Sequence, residues 1–343
     1  MTFAGFQDVC GYRAVIVTNY CIRVIAVALL CSVAFTVARG GVISAAPTSQ
    51  SWSKAQSIEV RDRSALAVVS CTSVAFCAAV DNNGDVHFWR NGSWRAPQHL
   101  NAGGSLSSIS CVAATYCMAI SVGGEAMAYN GRTWTSVGSA GPAEGGYQIS
   151  CHTPTFCAVS GASGLPGKPS WLAVYNGHSW SSQKTVSTGK MSDRVLDVSC
   201  ASATYCVAVN WNGKILTYDG TRWTTLSKGG PSGLISVSCA SASFCLAISD
   251  TGNSLVIHGD AWSHLTKAPS LAAAFAYSVS CASTKMCVAI GLNGHAATWR
   301  NGTWSTAQTV FSGAYVADVS VSCVATQCMA IDSKDKSSLY RWT

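Results

Sequence analysis

From residue 51 onward the chain alternates short apolar runs with glycine-bearing turns, and the runs have the length of strands. Residues 205–209 (YCVAV) and Ile215–Tyr218 are apolar and rich in β-formers, and Asn212-Gly213 between them is a hairpin signal. A second turn, Asp219-Gly220, precedes a short strand carrying Trp223. Apolar faces of helical period and capping signals are nearly absent after residue 50. The pattern predicts an all-β chain of hairpins.

The hairpins repeat. Residues 236–262 (SVSCASASFCLAISDTGNSLVIHGDAW) hold a Ser-Cys pair, a second Cys six residues on, a Gly turn, and a Trp after another Gly turn, and the same order occurs seven times. The first Cys falls at Cys71, Cys111, Cys151, Cys200, Cys239, Cys281 and Cys323, in steps of 39 to 49 residues. That spacing suits four-stranded propeller blades rather than helical hairpins. Each copy reads as antiparallel strands A to D: VSC, FCxAI, a strand ending in an aromatic, and one led by Trp. The seventh copy stops before any Trp-led strand, and the missing piece stands at the other end of the chain as Ser51-Trp52-Ser53-Lys54. In most copies an aromatic precedes the blade Trp by five positions, and joining the chain ends gives the same five from Tyr340 to Trp52. The expected fold is a seven-bladed β-propeller, closed by an N-terminal strand that completes the last blade and removes an exposed sheet edge.

Residues 1–46 stand outside the repeat, which leaves 47–343 as the propeller domain. Arg13 and Arg23 precede an apolar run over residues 24–38, followed by Ser44-Ala45-Ala46, the pattern of a secretory signal peptide with a long n-region. The run is short for a spanning helix. Pro47 disfavours cleavage at the small-residue site, so an uncleaved anchor is the alternative, and membrane contact is expected only through it. The formal charge of +7 falls to +5 without Arg13, Arg23, Arg39 and Asp8, and no Lys/Arg run exists, so no nucleic acid is expected as a partner.

Of 17 cysteines, removing Cys10, Cys21 and Cys31 leaves fourteen in the repeat. An even count at a fixed spacing in an exported chain argues for disulfides within each A–B hairpin: Cys71 with Cys77, Cys111 with Cys117, Cys151 with Cys157, Cys200 with Cys206, Cys239 with Cys245, Cys281 with Cys287, and Cys323 with Cys328. The last pair, one residue shorter, is the exception to the spacing. Two thiolates per blade, spread around a ring, do not make a four-ligand metal site. Asp81-Asn82-Asn83-Gly84-Asp85 spaces oxygens as calcium loops do, but lacks the following Gly and the distant Glu, and no metal is expected there.

Repeated residues should build the scaffold, and departures from the repeat should mark function. The blade tryptophans (Trp52, Trp94, Trp134, Trp180, Trp223, Trp262, Trp304) read as packing residues. The serine before each first Cys, lacking a repeated His or acid, reads as a local hydrogen-bonding group rather than a nucleophile. Blade three departs most: Cys157 to Tyr175 is 18 residues against 12 or 13 elsewhere, and Trp180 to Cys200 is the longest D–A connection at 20. Both enlargements fall on the face formed by B–C and D–A loops. Trp171 ends the inserted segment 160–170, and Trp211 occupies the next blade's B–C turn. With Lys168, Asp193, Arg194 and Asp197 they form a candidate aromatic platform edged with charges, suited to stacking a sugar ring; the alternative is that Trp171 begins strand C and packs between blades.

No G-x-S-x-G, H-E-x-x-H or clustered His set occurs, and the propeller domain has only Glu59, Glu125 and Glu144 among glutamates for a paired-carboxylate mechanism. The unit S-C-x5-C-x-A-[VI]…G…Y-[ND]-G-x-x-W resembles the repeat of exported actinobacterial β-propeller proteins over residues 51–343. Its Y-[ND]-G-x-x-W part, as in Tyr218-Asp219-Gly220-Thr221-Arg222-Trp223, is remotely similar to the Asp-box of sialidase-type propellers. It departs from that box by setting Asp or Asn directly before Gly, and the sialidase arginine triad has no counterpart. Tectonin-like lectin propellers are similar more loosely. The resemblance implies the fold and not sialidase activity. The chain thus reads as a secreted or cell-surface monomer without a cofactor. It is expected to bind a glycan, or an extracellular protein if it is an interaction scaffold, and a glycoside hydrolase ranks behind both.

Overall fold

The computed structural model describes residues 51–61, 64–142, 146–162, 167–187, 193–226, 229–268, 271, 276–312, 318–334 and 336–341. The leader expected over residues 1–46, and Glu144 with it, lie outside them. The described chain forms seven antiparallel sheets whose strands run A-B-C-D in sequence, apart from the last, where Gln56–Ser57 pairs with Lys336–Arg341. Trp52 bridges Tyr340 as the spacing predicted, their rings 5.2 Å apart, and the Ser53 N–H donates to the Leu339 carbonyl at 2.7 Å. The protein is a seven-bladed β-propeller closed by its N-terminal strand.

Why the blades read as they do follows from their surroundings. Strand B lies between two neighbouring blades and is dry on both faces: Phe76–Asp81, Phe244–Ser249 and Met286–Gly291 are buried at every position. An uninterrupted apolar run with a central Ala is what such a position requires. The core is divided accordingly into seven clusters, one between each pair of neighbouring blades, the cluster between blades seven and one uniting Met329 and Ile331 with Val69, Ala79 and Trp89. In six blades an aromatic five residues before the blade Trp faces it across the C–D hairpin, with centroids 5.1 Å apart for Tyr129 and Trp134 and 5.2 Å for Tyr218 and Trp223. In blade five Ile257, not His258, stands opposite Trp262. The Asx residue of Y-[ND]-G caps the turn: Asp219 Oδ1 accepts the N–H groups of Thr221 and Arg222, while the Tyr218 hydroxyl donates to the Gly220 carbonyl.

All seven cysteine pairs are bridged, directly opposite each other across the A–B hairpin with Cα atoms 3.9–4.0 Å apart. In six blades the ladder shifts register just after the first Cys. Blade seven omits that residue, keeps an unbroken ladder, and turns instead through Ala325 in the left-handed region at φ 50°. Seven intrachain disulfides are the mark of a chain that folds in an oxidising, extracytoplasmic environment.

Candidate functional site

The seven A strands surround a central channel that forms a cavity of about 760 Å³. Its wall is made by the first half of each A strand, together with the B–C turn residues Trp211, Asp250 and Leu292, so it opens on the face of the B–C and D–A loops.

The serine before each first Cys closes this wall. Ser70 accepts the Cys111 N–H, Ser110 that of Cys151, Ser150 that of Cys200, Ser199 that of Cys239, Ser238 that of Cys281, Ser280 that of Cys323, and Ser322 that of Cys71, each at 2.9 Å. These bonds run between blades, not locally as the sequence suggested, because the inner edge of every A strand would otherwise be left unpaired in the tightest part of the ring. A second ring lies two residues nearer the mouth. There Ser108, Ser236, Ser278 and Ser320 accept from the following blade at 3.2–3.3 Å. Blade four substitutes a carboxylate: Asp197 Oδ2 accepts the Val237 N–H and the Ser236 hydroxyl at 2.9 Å, and Oδ1 accepts the Val198 N–H at 2.8 Å. Asp197 lines the channel wall and is largely enclosed by protein. This desolvation pushes its pKa up to about 6 against the pull of those three donors.

At the mouth a backbone clamp recurs. The fifth residue after the second Cys donates its N–H to the carbonyl at the start of strand A: Asn82 to Ala65, Val122 to Ser105, Trp211 to Arg194, Asp250 to Gly233 and Ser333 to Asp318, at 2.9–3.4 Å. The scaffold is constant and the side chains are not. Blades four and five are joined further by the Gly233 N–H, which donates to the Trp211 carbonyl at 2.6 Å. Gly233 has φ +80°, and a Cβ there would stand 2.2 Å from Asp250 Oδ1. The mouth holds an indole that is 41% exposed and, on the same cavity wall, a guanidinium whose Nε is withdrawn from water with no hydrogen-bond acceptor. On the far side, the Tyr277 hydroxyl donates to Asp318 Oδ1 at 2.8 Å.

Of the six residues marked from sequence, the structure brings Trp211, Arg194 and Asp197 to this channel. The other three stand elsewhere. Trp171 leads strand C of blade three, is 6% exposed, and lies edge-on to Tyr147 with centroids 5.4 Å apart. A Cβ on Gly141 or Gly161 would meet the indole at 2.0 or 2.2 Å. The ring fills the space that two glycines vacate, so it packs between blades and presents no platform. Asp193 is buried and bonded to Asn210 Nδ2 at 2.8 Å and to Lys214 Nζ at 3.3 Å. Lys168 is exposed on the blade-three loop. Asp250, Tyr277 and Asp318 escaped notice; the variable fifth position after the second Cys was the signal that would have found Asp250.

A separate polar cluster lies in blade one. Asp81 accepts from the Ser64 hydroxyl at 2.8 Å and from the backbone of Asn83 and Asp85, and it bonds His87 Nε2 at 3.0 Å. Asp85 faces His99 Nδ1 at 2.9 Å and Arg61 at 3.7 Å. Desolvation raises the Asp81 pKa, but His87 and the donors around it outweigh that and hold it below the usual carboxylate range. Apart from Asp85 Oδ2, which is buried without a hydrogen bond, these carboxylate oxygens are turned onto protein donors, and Ser64 and Arg61 tie them to the segment that crosses from the closing strand into blade one. Among the described residues, no group of three or more His, Cys, Asp or Glu side chains is placed to hold a metal.

No protein-family model and no curated protein matches this chain. Solved propellers do. The WD40 β-propeller domain of Doa1 is 12% identical with a TM-score of 0.67, covering 86% of this chain and 98% of that one. A streptogramin B lyase structure is 7% identical at 0.69, covering 85% and 98%. YCF48 bound to D1 peptide is 12% identical at 0.62, covering 85% and 97%. Likeness at this identity carries the fold alone.

Proposed function

We propose that this protein is an exported binding module that holds a glycan at the mouth of its central channel, on blades four and five. One observation carries the reading: the exposed indole of Trp211 stands at the rim of a hydroxyl-lined cavity that it shares with Arg194, whose Nε has no hydrogen-bond partner, and with Asp250. Indole stacks on the apolar face of a sugar, and Asp250 and the channel serines can take its hydroxyls. The site lies inward of the blade-three loop that the sequence favoured. Export rests on the leader pattern of residues 1–46 and on the seven disulfides. Kinship with the exported actinobacterial propellers rests on the S-C-x5-C repeat.

A glycan array of the full chain and of Trp211→Ala tests this. Binding lost in the mutant supports the reading, and absence of binding to any glycan sinks it. The second reading is a protein scaffold. Val122, Trp211 and Tyr277 are exposed apolar side chains on the one face, 40%, 41% and 40% accessible, and the similar YCF48 propeller is bound to a peptide. A pull-down in which Val122→Ser and Tyr277→Ser weaken capture as much as Trp211→Ala would favour it.

A further inference from the structure

The channel mouth contains opposite charges that do not neutralise each other. Arg194 lines the cavity, its half-buried side chain makes no hydrogen bond or ion pair among the described residues, and its Nε is shielded from water. A shielded donor without an acceptor is costly unless something else supplies one. Asp250 lines the same cavity one blade on, and among the described residues its carboxylate likewise has no hydrogen-bond partner. Asp197 is committed to Val237, Ser236 and Val198, and Asp318 to Tyr277, so neither answers Arg194. The backbones that carry the two groups are linked by a chain of hydrogen bonds running from Arg194 through Trp211 and Gly233 to Asp250.

We infer that the site selects a sugar bearing a single carboxylate, a uronic acid, stacked on Trp211 with its carboxylate on Arg194 and a ring hydroxyl donating to Asp250. A planar guanidinium meets a carboxylate through two parallel hydrogen bonds, a geometry that a hydroxyl cannot reproduce. The Asp250 charge, with Asp318 across the mouth, repels densely anionic chains, which restricts the acid to one carboxylate at the Arg194 position. This inference rests on the glycan reading above.

The test is calorimetric titration of the full chain with methyl galactopyranosiduronate, which carries one carboxylate, with its methyl ester, and with a peptide ending in a free carboxylate. The ester keeps the ring and removes only the charge. The acid should bind roughly ten- to a hundredfold more tightly than the ester. Arg194→Gln should weaken the acid far more than the ester and so erase the preference, and Trp211→Ala should weaken both. Equal affinity for acid and ester, unaltered by Arg194→Gln, overturns the carboxylate assignment and leaves the glycan reading standing. Binding of the peptide alone, lost in Arg194→Gln, overturns the sugar and keeps the carboxylate. No binding of either saccharide overturns the assignment and the glycan reading for this class.

Discussion

Trp171 and Trp211 both interrupt the repeat, on adjacent blades and on the same face, and the fold treats them oppositely. Around Trp171 the chain has removed side chains. Five blades end strand B with a polar residue that caps the turn, as Asn210 does for Lys214 and Ser249 for Asn253; blade three has Gly161 there, and the indole occupies the space. Around Trp211 nothing has been removed to receive it. It donates its N–H to Arg194 as any residue at that position would, and its ring is left at the rim. An off-repeat aromatic paired with off-repeat glycines is packing. One set on an unchanged backbone is a surface feature.

The contrast can be broken by mutation, and the largest effect should come from the buried ring. Trp171→Ala should cost about 3–5 kcal/mol in denaturant unfolding, as loss of a core indole does, while Trp211→Ala should move stability by less than about 0.5 kcal/mol. Comparable losses in the two variants would erase the distinction. Gly161→Ala adds one methyl to a site already filled by the indole, and should cost about 1–3 kcal/mol. In the background of Trp171→Ala the same substitution should become nearly neutral, a coupling that a double-mutant cycle measures.

Asp197 sharpens the comparison along the channel wall, where one blade replaces a repeated serine by an acid. Its folded pKa is raised to about 6 from a model-peptide value of 3.8. The native state therefore holds the proton more tightly than the unfolded chain. Its stabilising contribution is complete below about pH 4 and is lost as pH rises through 6. Asp197→Ser, which restores the repeat, should flatten the stability profile between pH 4 and 7 and gain about 1–2 kcal/mol at pH 7 relative to pH 4. A parallel profile in the variant would show that the carboxyl is not strained. The smallest effect belongs to blade seven. Ala325→Gly relieves a left-handed alanine and should raise stability by about 0.5–1 kcal/mol in thermal unfolding.

The architecture was legible because it was written seven times. Run length, the Asn-Gly and Asp-Gly turns and the Ser-Cys spacing are local, and each copy states them again, so blade number, disulfide pairing and closure through Trp52 followed from sequence. The site was legible only in part. Trp211, Arg194 and Asp197, which line the channel, break the repeat, but Trp171, Asp193 and Lys168, which do not, break it too. Sequence spacing does not say whether an insertion points a ring outward or lets it fold back into a gap left by Gly141 and Gly161. Likewise the repeated serines were recognisable as hydrogen-bonding groups, while their partners sit about 40 residues away in the next blade. Secondary structure and repeat number come from near neighbours in the chain. Which face a side chain takes, and which charges are left without partners, comes from contacts between blades, and only the closed ring brings those together.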